Sequence, residues 1–239
     1  MTSQERDKIT KRMLWIIPAM ILCIIGDYCM GLEPKDSTAV YFMISTGWLT
    51  IADWRIALSH IGGLIGTALY MIAALAFIQY LNWKLTQCSD KWGRRFLKLF
   101  IVGLYWGCMV FVYFHLACGT LIHTYNVIFE AVEGDTARAV TAWNRAYLVQ
   151  AVPYWASFVV LELTTTVGWF AIIWKGVLPL KKRWVLAAPM LVAGIGFLLE
   201  LILPLPFNGF ASGFESLGWI VMFLGGIQAI KNDDREADR

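Results

Sequence analysis

Residues 97–126 read LKLFIVGLYWGCMVFVYFHLACGTLIHTYN, thirty residues in which Lys98 is the one Lys, Arg, Asp or Glu. A bilayer core about 30 Å thick is crossed by about 20 apolar helical residues, so this stretch predicts a membrane-spanning helix with residues to spare. One stripe of that helix is polar. At about 100° per residue, with His115 at zero, Asn126 falls near about 20°, Gly119 about 40°, Glu130 about 60° and His123 about 80°. Ionisable groups on such a stripe should not face lipid, because desolvating them without partners costs several kcal/mol each. The stripe is expected to face other helices or a wet cavity, and Gly119 lets a neighbour approach the backbone there.

The rest of the chain extends the same reading. Of its 239 residues, 59% are hydrophobic and 15% charged, too much apolar surface for an ordinary soluble globule. Spans are expected near 13–32, 57–81, 97–126, 151–174, 184–204 and 211–230, the third running on toward Glu133 above the membrane. Little chain remains for a separate catalytic module. Sixteen of the 20 Lys and Arg fall in the amino-terminal stretch, the second-to-third and fourth-to-fifth connections and the tail 231–239. Lys35, Arg55, Arg138 and Arg145 are on the other side. Lys and Arg in short loops mark the cytoplasmic face. The expected fold is therefore all-α: a polytopic bundle of six transmembrane helices, both termini cytoplasmic, placed in the plasma membrane, with 231–239 as a solvated tail. The net charge of +3 follows from that bias and implies no nucleic-acid partner. The first span follows a basic stretch but lacks a small-x-small cleavage site, so it reads as a retained helix. Five cysteines without a C-x-x-C pair predict no disulfide framework.

The outward connections differ from the basic ones. Residues 33–56 include Val40, Tyr41, Met43, Ile44, Trp48, Leu49, Ile51 and Trp54, an interfacial loop expected to fold back over the bundle. Residues 134–150 read as an amphipathic helix, and together the two segments would roof an outward cavity. Gly62 with Gly66, and Gly103 with Gly107, have the small-xxx-small spacing of close helix contacts, and Gly194 and Gly196 read the same way.

Depth is the strongest functional signal. Asp27, His60, His115, His123, Glu162, Glu200 and Glu215 all fall in the outer half of their helices, while the inner halves hold almost no ionisable residue. Each has a structural reading beside the functional one: Asp27 as a tie between helices, His60 bonded to a loop, Glu200 and Glu215 hydrated near the surface, Asn126 and Glu130 above the bilayer. Glu162 is harder to treat as structural, since its helical neighbours Trp155, Thr166 and Trp169 put it on an aromatic, hydroxyl-bearing face at mid-membrane depth. Trp219, near Glu215, is a further candidate lining residue.

Three chemistries follow. In the first, an intramembrane enzyme uses Glu162, His115, His123 and Asp27 for acid–base isomerisation or hydrolysis of a small apolar or lipid-like molecule. Its ligand would rest on His60, Trp155, Thr166, Trp169, Asn126, Glu200 and Glu215, and no nucleophile motif such as G-x-S-x-G is present. The second is a small-molecule or ion transporter or binding protein with protonatable carboxylates, which at this size would call for a homodimer. The third is a metal or haem site on His60, His115 and His123 with a carboxylate, for which no H-E-x-x-H or H-x-x-x-H spacing exists. No cofactor is implied, and the first chemistry is the one the residues favour.

Overall fold

Helix caps set the boundaries that hydropathy leaves open. In the computed structural model, which describes residues 1–41 and 43–237 and side chains as far as Asp233, 82% of residues are helical. The α-helices are α1 (Ser3–Met13), α2 (Ile16–Gly31), α3 (Asp53–Gln87), α4 (Lys91–Ala131), α5 (Thr136–Trp174), α6 (Pro189–Ile202) and α7 (Phe214–Ala237). Asp90 accepts from the backbone N–H groups of Trp92 and Gly93 to start α4, and Asp135 accepts from that of Arg138 to start α5. Between those two helices Glu133 (φ 55°) and Gly134 (φ 80°) adopt left-handed backbone and turn the chain sharply. Residues 134–150 are therefore no separate helix but the first half of α5.

Among the described residues five helical runs are long and apolar enough to cross a membrane: Ser3–Gly31, Asp53–Gln87, Lys91–Ala131, Thr136–Trp174 and Phe210–Asp233. This is the architecture of a multi-pass membrane protein. The stretch expected as a span over 184–204 is different. Pro189 forces Ala188 out of the helical region (ψ 134°), so a 3₁₀ turn, Lys182–Ala187, is followed by a break and then by only 14 residues of α6. At 1.5 Å per residue α6 is about 21 Å long, short of a bilayer core.

Side-chain contacts sort the ends of the helices into two groups. At one end Lys84, late in α3, pairs with Asp233, late in α7, at 3.1 Å, and Asn232 donates to the Pro179 carbonyl at 2.7 Å. The amphipathic α1 packs Ile9 and Met13 into the same region. Asn232 and Asp233 are thus docked, while Lys231 stays exposed; Tyr80 and Lys84 supply the hydrogen bonds of the buried Asp233. The side chains of Arg235 and Arg239 lie outside the described residues. At the other end β1 (Glu33–Pro34) pairs antiparallel with β4 (Phe207–Asn208), while β2 (Ala39–Tyr41) pairs with β3 (Ile44–Ser45).

Two apolar cores result. The larger runs through the bundle around Tyr70, Phe77, Phe100, Trp169, Trp219 and Phe223. The smaller sits under the roof, where Ile44, Trp48 and Ile51 pack on Tyr125, Ala139 and Trp143 of the protruding α4–α5 hairpin. Glycines let the helices close. A Cβ on Gly66 would come 2.9 Å from the Ala19 carbonyl, and one on Gly103 2.6 Å from the Thr165 side chain. Gly194 departs from its expected packing role, with nothing within 4 Å of a Cβ placed there.

Candidate functional site

His115 is seated against two glycines of neighbouring helices. Gly26 of α2 and Gly63 of α3 both face its ring: a Cβ on Gly26 would come 3.1 Å from His115 Nδ1, and one on Gly63 would overlap the His115 side chain. Packed there, His115 is only 5% exposed, with Nδ1 3.3 Å from the hydroxyl of the fully buried Ser59. Its other nitrogen, Nε2, approaches Asp27 Oδ1 at 3.9 Å, nearer than bulk water would leave them but longer than a hydrogen bond. Asp27 Oδ2 accepts from the Ser216 hydroxyl at 2.9 Å. Three helices and the first turn of α7 thereby meet at one carboxylate.

Asp27 opens onto a cavity of about 210 Å³ lined also by Met30, Met43, Trp48, Cys118, Leu121 and Ser212. Trp48 and Met43 come from the roof, and Asn126 holds that roof down by donating to the Trp48 carbonyl at 3.0 Å. The walls are otherwise almost wholly apolar, and Asp27 is the one carboxylate among the described lining residues. Behind the wall, Cys118 Sγ and the Tyr154 hydroxyl are 3.2 Å apart. The larger hollows of about 590, 330 and 260 Å³ are open surface among side chains at the basic end, such as Lys8, Lys11, Lys84, Arg94 and Lys98.

Deeper still lies Glu162, 3% exposed. Its carboxyl group meets that of Glu215 from the first turn of α7, yet neither Glu162 oxygen receives a hydrogen bond from a described donor. The Trp219 indole N–H stands beside Glu215 without completing a hydrogen bond. The Tyr70 hydroxyl of α3 donates to the Leu104 carbonyl at 3.2 Å. Among the described residues no Lys or Arg pairs with Asp27, Glu162 or Glu215.

The remaining sequence candidates lie elsewhere. His123 leaves the interior: it pairs with Asp53 at 3.1 Å, the two side chains 51% and 80% exposed. Eight residues separate it from His115, a rise of about 12 Å, and at that height α3 has only its first turn left to offer. The His60 ring lies against the α4 backbone at Gly119, where the sequence predicts close approach. Glu200 accepts from the backbone N–H groups of Gly209 and Ala211 at 2.5 and 2.8 Å, holding the α6–α7 connection. Trp155 donates to the Tyr147 hydroxyl at 2.6 Å. Trp169, fully buried two turns toward the basic end from Glu162, donates to the Trp184 carbonyl at 2.8 Å, so it packs the bundle core instead of lining the cavity. Thr166, one turn below Glu162, has a buried hydroxyl oxygen with no described partner. Ser59, Ser216, Cys118 and Tyr154 escape a search for acids and histidines. Only adjacency marks the first two, Ser59 beside His60 and Ser216 beside Glu215, and Cys118 lies one turn above His115.

Among the described residues no three His, Cys, Asp or Glu side chains converge as metal ligands would. The histidines explain why: His115 points to Asp27, His60 to the α4 backbone and His123 to Asp53. Neither curated proteins nor solved structures give a match to this sequence. A family model does, over residues 1–233, and the chain belongs to that family, DUF6796, a family of unknown function.

Proposed function

We propose that this is a six-pass membrane protein with both termini cytoplasmic, and that it performs acid–base chemistry on a small apolar or lipid-like molecule held in the outward cavity. The orientation rests on the amino-terminal stretch, two connections and the tail that together hold sixteen of the 20 Lys and Arg. α6 would complete its crossing with the help of the preceding 3₁₀ turn and local thinning of the bilayer.

The observation that carries the reading is Asp27, a carboxylate on the wall of an otherwise apolar cavity with His115 and Ser216 behind it. The space is below the usual 300–1,000 Å³ of a drug-sized site, so it suits a small molecule or one end of a lipid. Asp27 removes or returns a proton on the bound molecule, Ser216 and His115 fix and tune its carboxylate, and the apolar walls keep bulk water from competing. Isomerisation needs no more than this. Hydrolysis through Ser59 is not supported, because that hydroxyl is buried behind His115 and does not reach the cavity. The acid pair Glu162 and Glu215 favours a second reading, proton-coupled binding or transport, in which a buried carboxyl exchanges its proton as ligand moves.

Deuterium uptake tests the first reading. Purified protein incubated in D₂O with fractionated membrane lipids should place carbon-bound deuterium in one lipid class, detected by mass spectrometry. Asp27→Asn should cut the rate by about 10²–10⁴-fold. No label in any class, with the protein folded, would rule out the enzyme and leave proton-coupled binding, read as ligand-driven proton flux in liposomes.

A further inference from the structure

We infer that Glu162 and Glu215 form a proton-binding site, one proton being held between the two carboxyl groups as a resident ligand of the folded protein. Glu162 is only 3% exposed, its carboxyl meets that of Glu215, and no described donor reaches either of its oxygens. A deprotonated carboxyl group only accepts hydrogen bonds, so two of them in contact offer acceptor to acceptor. They also bring like charges together at a place where Glu162 is buried and Glu215 only half-buried, so solvent screens the pair poorly from the Glu162 side.

The groups around the pair do not relieve this. From α3, the Tyr70 hydroxyl is committed to the Leu104 carbonyl. From α4 and α5, Cys118 and Tyr154 are bonded to each other. From α2, Asp27 brings a further negative charge, and its neighbour His115 lies on the far side of it at 3.9 Å. No Lys or Arg pairs with any of these acids among the described residues. A single proton resolves both difficulties. It bonds to one carboxylate oxygen, turns that group into a donor toward the other and halves the charge of the pair; no other bond changes. Ser216 follows Glu215 directly and donates to Asp27, so one turn of α7 connects the pair to the carboxylate on the cavity wall. The site does not depend on what the cavity receives.

Infrared spectroscopy of the purified protein at neutral pH reads such a proton directly. The wild type should show a protonated-carboxyl C=O band that shifts in D₂O. The isosteric Glu162→Gln and Glu215→Gln should each abolish it, because the amide replaces the shared donor, and Asp27→Asn should leave it in place. Absence of the band from the wild type overturns the inference without reference to any variant. So does its survival in either Gln variant, which would mean that each carboxyl carries its own proton or that the band belongs elsewhere. The Asp27→Asn arm separates this site from the proposed enzyme: deuterium transfer can fail while the band persists, and the reverse.

Discussion

Asp233 and Glu162 are both buried acids in one helical bundle, and the fold treats them in opposite ways. Asp233 receives a hydrogen bond from the Tyr80 hydroxyl at 2.6 Å and a charged one from Lys84 at 3.1 Å. Glu162 receives none, and its neighbour is another acid. Buried charge ordinarily comes with a partner, because desolvation costs more than packing returns. The basic end follows that rule and locks α3 to α7. The outer half breaks it, and a rule broken at one place inside a protein that obeys it elsewhere marks a site kept for use rather than for stability.

Leucine at each acid would break or sharpen the contrast. Asp233→Leu leaves Lys84 without its counter-ion and Tyr80 without its acceptor. A fully buried pair broken in this way costs about 3–5 kcal/mol, and the partial exposure of Lys84 lowers the expectation to about 2–4. Denaturant unfolding in a fixed detergent should show that loss, and Lys84→Met should recover much of it in the double variant, since an apolar pair replaces a half-broken ionic one. Glu162→Leu strands no cation and gives up only the hydrogen bond of the shared proton, so its cost should be smaller, about 1–2 kcal/mol. Equal losses from the two leucines would mean that Glu162 is as well partnered as Asp233, and the contrast would be gone.

Hydropathy and basic-residue bias made the helical membrane class legible, and depth along each helix drew attention to Asp27, His115 and Glu162. What hydropathy cannot supply is azimuth, the side of each helix that turns toward its neighbours. Trp169 shares a face with Glu162 by helical angle, yet seven residues of rise, about 10 Å, carry it into the bundle core. His123 shares the His115 stripe but stands where α3 is just beginning, and so it meets Asp53 in the open. The meeting of Glu162 with Glu215 depends on how α5 and α7 pack across the bundle, and no spacing within either helix encodes it. The break before α6 was written in the sequence, in Pro189, but an apolar run reads as continuous when only hydropathy is counted.

Glycine provides the smaller tests. Gly63→Ala places a methyl group against a His115 side chain that Gly26 and Ser59 confine from other directions. Overpacking of this kind costs about 1–3 kcal/mol, and it should displace the ring from Asp27, so deuterium transfer should fall along with stability. Gly194→Ala is the control, at a glycine that faces open space. It should gain up to about 1 kcal/mol from helix propensity and leave transfer and the infrared band unchanged. A loss of activity at Gly194 would put a contact partner on α6 that the single chain does not show, and the natural candidate is a second copy. The exposed apolar side chains of α6, Leu201 and Ile202 among them, would then be covered by protein and not by lipid. Equal retention of activity in both alanine variants would separate His115 from the chemistry and leave Asp27 acting with Ser216 alone.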